Sequence, residues 1–198
     1  MDGYPAHLSP IISGSDDKAA FDVWWPRVRD EFPGVPDVVA KDWLYRHWGN
    51  SPYRWIVPRA YDFTLEEYAS DSLGDVLSRV FAFEAGGARA RDTGQYLCGD
   101  SPLENGVAPP PARPWRYDPV WLVDYMRTHG TFPAAVVVVD NRDGHLKTAK
   151  DIPEPARQIP QGLILAEGHA RHAIGLHLRA IGALGDSVPI CRLTAKRG

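Results

Sequence analysis

Cysteine is scarce in this chain of 198 residues: Cys98 and Cys191 are the whole supply, far apart and in no C-x-x-C arrangement. That argues against a disulfide framework or a cysteine-based zinc site and predicts two reduced thiols, as in the cytoplasm. Long apolar runs are missing as well. No stretch of eighteen apolar residues occurs, and no basic segment followed by an apolar one opens the chain at Met1–Ser15, so neither a membrane span nor a secretory leader is expected. Positive charge is not in excess either. The 22 Lys and Arg against 25 Asp and Glu give a formal charge of −3, which provides no global field for gathering nucleic acid. DNA binding would have to be local, and nucleic acid is the less favoured partner.

What the chain has in quantity is tryptophan, with seven copies beside 18 Pro and 18 Gly. Trp24, Trp25, Trp43, Trp48 and Trp55 crowd the first 55 residues. Each buries a large apolar area, so the cluster predicts a large core or a self-association face, the latter implying a homo-oligomer joined through aromatic helices. Arg46, His47, Arg54 and Arg59 lie among these rings, where a base-stacking nucleic-acid surface would look similar. The core reading is preferred, because the N-terminal helices need an apolar face of their own.

The pattern along the chain predicts a helical N-terminal region over 1–85, a Gly/Pro-rich loop over 86–117, and a mixed α/β unit over 118–198. Met1–Gly14 reads as a tail. Ser15-Asp16-Asp17 is a helix opening, and Phe21, Trp24, Trp25 and Val28 recur at helical spacing, giving a helix over Asp16–Glu31 with Pro26 inside. Pro36 opens a second helix through His47, and Ser51–Asp62 reads as extended. Thr64-x-x-Glu67 has the form of a capping box, which predicts a third helix, interrupted near Ser70–Asp75 and resumed through Val80. On that reading Glu66, Glu67, Asp71 and Asp75 lie on solvated helix faces. The paired glycines and Pro109-Pro110-Pro111 predict a loop, with Arg89 and Arg91 solvated by default and reaching over the anion site as the alternative.

Beyond it, Asp118-Pro119 opens a helix to His129, and four consecutive valines, Val136–Val139, predict a buried strand. A second strand over Ile159–Ala166, a helix over Ala170–Leu184 and a final strand over Ser187–Leu193 complete the unit. Ala170, Ile174, Leu178 and Ile181 form the apolar stripe of that helix. Leu176 lies on another side with His169, His172 and Arg179, which predicts a cover for that side, the aromatic N-terminal helices being the candidates.

The sharpest signal is Glu167-Gly168-His169-Ala170-Arg171, where strand turns into helix. Unpaired amides at a helix start attract anions, and Gly168 permits close backbone approach. Arg171 is a forked permanent cation, His169 a proton carrier near neutral pH, and His172 lies one turn further in. Glu167, His169 and Arg171 are the candidate catalytic residues, and Gly168, His169, Ala170, Arg171 and His172 the candidate phosphate-binding set. His169-x-x-His172 beside Glu167 is by itself weak evidence for a transition metal. Glu167 or Asp140, both at strand ends, could help hold a magnesium ion accompanying a phosphate ligand, Asp140 having the rival reading of a plain turn residue.

The strand, acidic-Gly turn, Gly-x-x-Arg helix and closing Val188-Pro189-Ile190 strand of Pro133–Leu193 resemble the ParB/sulfiredoxin superfamily. Gly168-His169-Ala170-Arg171 stands where ParB-like proteins carry Gly-Glu-Arg-Arg or Gly-His-x-Arg. The resemblance implies an α+β fold, a small mixed sheet with a phosphate-binding strand–turn–helix after an aromatic-rich helical extension. It also implies a nucleoside triphosphate or diphosphate with Mg²⁺ as ligand, and an NTP hydrolase, kinase or nuclease as the activity. Sulfiredoxin carries its catalytic Cys directly after the turn glycine. His169 occupies that position here, so sulfinic-acid reduction is not expected. No helix-turn-helix is expected beyond Leu193, which disfavours a partitioning clamp. The alternative is a non-catalytic interaction or regulatory protein that uses the Trp-rich helices and keeps a degenerate pocket.

Overall fold

The computed structural model describes residues 8–10, 18–48, 58–100, 119–147 and 158–196. The N-terminal tail before Leu8, the helix opening at Ser15–Asp17, Arg54, Trp55 and the polyproline run lie outside these residues.

The fold is mixed α and β, built on a five-stranded mixed sheet. Its strands are β1 (Tyr61–Ala69), β2 (Val76–Ser78), β3 (Val136–Asp140), β4 (Leu163–Glu167) and β5 (Ser187–Ala195), in the spatial order β1-β5-β3-β4-β2. β3 is central, parallel to β5 and antiparallel to β4. β1 closes one edge antiparallel to β5, and β2 the other parallel to β4. Alternation along the strands divides the apolar residues between two cores. Val137, Val139, Ile164, Ala166, Cys191 and Leu193 face one layer, and Val136, Val138, Leu163, Leu165, Val188 and Ile190 face the other. Because both faces are covered, the strands read as near-continuous apolar runs.

The first layer is the aromatic N-terminal region. α1 (Lys18–Val28) carries Phe21, Trp24 and Trp25 inward. α2 (Asp37–Val39) continues directly into a π-helical stretch, Ala40–Tyr45, with Trp43 fully buried. Trp24 and Trp48 meet edge to face with ring centroids 5.8 Å apart, Phe32 meets Trp48 in the same manner at 6.0 Å, and the Trp24 indole N–H donates to the Leu8 carbonyl. The described N-terminal tryptophans are therefore core, and a self-association face made from them is not on the surface.

The second layer consists of α3 (Ala88–Leu97), α4 (Pro119–His129) and α5 (His169–Ala180). Met126, Ile174 and Leu178 are fully buried against the sheet. Ile181, placed on the same stripe by periodicity, is 55% exposed, because the helix ends at Ala180.

Three expectations are corrected. The segment 61–78 forms β1, a 3₁₀ turn and β2 instead of a broken helix. Pairing of all nine residues of β1 with β5 overrides the local capping-box preference. The acids there are correspondingly not idle on a helix face: Glu66 accepts from the Arg192 guanidinium at 2.9 Å, and Asp71 from that of Arg179 at 2.6 Å. Second, the expected loop contains α3. Its glycines serve packing and entry geometry: Gly87 caps the helix at φ +64, and Gly94 lies directly on α5. Third, Leu176 is covered by Phe81, Ala90 of α3 and the Gly87 turn instead of the aromatic helices. Arg89, on α3, approaches Glu84 and not the β4–α5 turn.

A Cβ on Gly94 would stand 1.9 Å from the Ala173 carbonyl oxygen. Gly94→Ala is expected to force α3 off α5 and to destabilise the fold by about 3 kcal/mol, at the upper end of overpacking costs. Urea unfolding measures this, and an unchanged midpoint would contradict the close helix contact.

Candidate functional site

β2 and β4 run parallel, so their C-terminal ends lie together at one edge of the sheet. Beyond β2 the chain turns through Arg79 and into two consecutive left-handed residues, Ala82 at φ +55 and Phe83 at φ +56, a rare conformation for side chains with a Cβ. Beyond β4 it turns at Gly168 into α5. Gly168 adopts φ +93, and a Cβ there would stand 2.5 Å from Val136 Cγ1. Close packing on β3 and the left-handed turn thus both demand glycine, independently of any ligand. The first helical hydrogen bond of α5 runs from the His172 amide to the Gly168 carbonyl. The amides of His169, Ala170 and Arg171 therefore have no acceptor within the helix.

Around this turn the structure assembles a compact charged group. Arg171 donates to Glu167 Oε2 at 3.2 Å, and its other terminal nitrogen stands 3.9 Å from Asp42 Oδ2. His47 Nε2 lies 3.1 Å from Glu167 Oε1, an ion-pair approach without the alignment of a hydrogen bond. The Arg171 and Glu167 side chains are only 12% and 17% exposed, so their charges interact through little water. Burial alone pushes the Glu167 carboxyl up, but Arg171, His47 and His169 together outweigh it and hold the group down at about 2. The His169 imidazole is shifted down as well. Burial, reinforced by His172, His47 and Arg79 and opposed by Glu167, lowers it to about 4. It is neutral at pH 7, and its Nε2 is buried without a hydrogen-bond partner among the described residues.

Of the residues expected in the site, Glu167, Gly168, His169, Ala170 and Arg171 come together. His172 does not join them through Nε2, which lies 2.9 Å from the Leu73 carbonyl in the core-side packing of α5. Its imidazole is buried, and burial lowers its pKa. Asp140 does not join them at all. β3 and β4 are antiparallel with Val137 opposite Glu167 and Asp140 opposite Leu163, so the two acids stand at opposite ends of the sheet, separated by about 10 Å along the strands. Asp140 is instead bonded to Arg142, with Arg192 3.6 Å away. Asp140 and Glu167 therefore do not hold one ion together.

Asp42 and His47 are the residues that motif reading missed as partners of this turn. Five positions apart, they would diverge by about 140° on an ideal α-helix. The π-helical stretch Ala40–Tyr45 between them changes that phase, and both reach the Glu167–Arg171 pair. Asp42 also forms part of the wall of a hollow of about 600 Å³, whose other walls include Val38, Lys41, Leu65, Glu67, Ala134 and Pro189. That volume lies within the range of small-molecule sites.

Set against protein-family models, curated proteins and solved structures, the chain matches none. What the site does is therefore read from its chemistry. Among the described residues, no helix is long and apolar enough to cross a membrane.

The shifted groups set a pH dependence. Between pH 6.5 and about 4 the unfolded chain protonates His169 and the folded chain does not, so stability falls as pH drops through that window. The depressed Glu167 contributes stability that is complete above the ordinary carboxylate range and is lost as pH falls toward about 2. On going from pH 7 to pH 5, His169 is expected to cost on the order of 1–2 kcal/mol. Urea titrations of wild type and His169→Gln check this: the variant should lose part of the pH dependence, and identical profiles would refute the assignment.

Proposed function

We propose that the protein binds a phosphate-bearing ligand, a nucleotide by its resemblance to the ParB/sulfiredoxin superfamily, at the β4–α5 turn and acts on it by phosphoryl or phosphodiester chemistry. The observation that carries this reading is the buried Nε2 of His169, unpartnered among the described residues, at the start of a twelve-residue helix and next to Arg171. A buried polar atom without a partner is costly in a folded protein and calls for a ligand or a chemical role. The first amides of α5 seat a phosphate oxygen, and Arg171 neutralises charge that builds on the phosphorus oxygens during transfer. His169, neutral at pH 7, accepts a proton from the attacking hydroxyl or water. The hollow beside Asp42, with apolar walls at Val38, Leu65 and Pro189, takes the remainder of the ligand.

Magnesium ions are commonly held by one or two carboxylates together with the ligand's phosphates. Glu167 and Asp42, the carboxylates flanking Arg171, fit that donor set and would hold the ion, which would offset phosphate charge. Two buried free thiols are consistent with a reducing, cytoplasmic setting.

A second reading is favoured by one specific feature: Arg171 is already paired with Glu167 and close to Asp42. A site occupied by its own carboxylates fits a degenerate pocket in a regulatory or interaction protein. Its partner surface would lie elsewhere than on Trp24, Trp25, Trp43 and Trp48, which are internal.

Isothermal titration of the folded chain with ATP, ADP, CTP and GTP in the presence of Mg²⁺ separates the two. Binding of at least one, weakened by roughly tenfold or more in Arg171→Ala as expected for a lost charge-assisted contact, supports the first reading. No binding of any by a folded sample overturns it and leaves the second.

A further inference from the structure

At the other end of α5, two turns and about 12 Å from His169, Cys98, Asp100 and His177 bring a thiol sulfur, a carboxylate oxygen and an imidazole nitrogen within 4.8 Å of one another. The backbone makes this meeting unavoidable. Gly94 and Ala173 are the contact point of α3 and α5, and Cys98 and His177 each stand four residues further along the same helix, one turn beyond that contact. Cys98 still belongs to the helical bonding, its amide donating to the Gly94 carbonyl at 2.9 Å. Gly99, left-handed at φ +70, then turns the chain so that Asp100 faces back. His177 Nε2 reaches Asp100 Oδ2 at 2.7 Å. One Arg127 nitrogen donates to both Asp100 oxygens at 2.7 Å and to the Cys98 carbonyl at 3.3 Å.

We propose that Cys98, Asp100 and His177 bind a divalent cation of the zinc class, with Arg127 fixing the Asp100 carboxylate from behind. A sulfur and an imidazole select zinc or cobalt over magnesium and calcium, which prefer oxygen ligands. Ligand bonds of about 2.0–2.3 Å set the donor atoms of a tetrahedral site roughly 3.3–3.7 Å apart, so the His177–Asp100 contact opens by about half an ångström when the ion enters. Cys98 coordinates as thiolate, releasing one proton to solvent, and His177 binds through Nε2 once the proton it donates to Asp100 has passed to Nδ1 or to solvent. Asp100, exposed to solvent, gives the ion its route in, while Cys98 and His177 are buried. Arg127 acts as the hydrogen-bonded outer partner that orients ligating carboxylates in such sites. Three protein ligands leave a fourth position, the arrangement in which zinc keeps a water. The competing arrangement, in which Arg127–Asp100–His177 is only a charged tie across the helix ends, gives Cys98 no part, and that difference makes the two separable.

The test is titration of the chelator-treated, full chain with Co²⁺, read by absorbance, followed by displacement with Zn²⁺. One equivalent of cobalt giving a thiolate-to-metal charge-transfer band is expected, and the band is lost in Cys98→Ser and retained in Cys191→Ala. Asp100→Asn is expected to weaken zinc binding by roughly tenfold or more. No charge-transfer band with the wild-type chain overturns the site, as does a band that survives Cys98→Ser. If Cys98→Ser fails to fold by circular dichroism, the surface variant decides: cobalt and zinc affinities unchanged in Asp100→Asn overturn the assignment.

Discussion

Everything else in this molecule hangs on the central trio of strands, β5, β3 and β4, whose side chains are buried on both faces. A strand with one wet face needs only a single covering layer. A strand like Val136–Val139 needs two, and the chain supplies them from separate parts of its sequence. The aromatic region before β1 covers one face, and α3, α4 and α5 the other. Because β1 and β2 come from the middle of the chain and pair with β5 and β4, neither the N-terminal nor the C-terminal part builds the sheet alone.

The same double burial fixes the chemistry at the sheet edge. Gly168 is pressed against Val136 of the neighbouring strand, which sets where α5 begins and therefore where His169 and Arg171 stand. The helix carrying Asp42 and His47 closes over that turn from the other layer, so the charged group sits at the meeting of the two layers and the sheet. Limited water there keeps His169 neutral, while Arg171 and the neighbouring imidazoles hold Glu167 ionised against the same burial. Both groups are shifted downward, which leaves a carboxylate beside a neutral imidazole.

At two helix positions packing demands glycine. Gly94 and Gly175 are small because Ala173 and Phe132 occupy the space a side chain would take. The rigid seam that results between α3 and α5 carries the precision of the Cys98, Asp100 and His177 grouping, which lies beyond the reach of any motif because its members are separated by up to 79 positions, from Cys98 to His177.

By itself the sequence determined the elements whose signals are local and strong: α1 and α2 from aromatic spacing and Pro36, α4 from its proline opening, β3 from its valines, and the β4–α5 turn from Glu167-Gly168. It favoured an apolar core for the N-terminal tryptophans, and the structure buries Trp24, Trp25, Trp43 and Trp48. Only the tertiary structure decided that Tyr61–Ala69 is a strand, since its pairing partner β5 lies more than a hundred residues away and outweighs the capping-box preference. It likewise decided that Asp140 and Glu167 stand apart, because strand direction depends on the path of the intervening chain. Finally it brought Asp42 and His47 to the anion turn, through a π-helical phase that residue spacing does not encode.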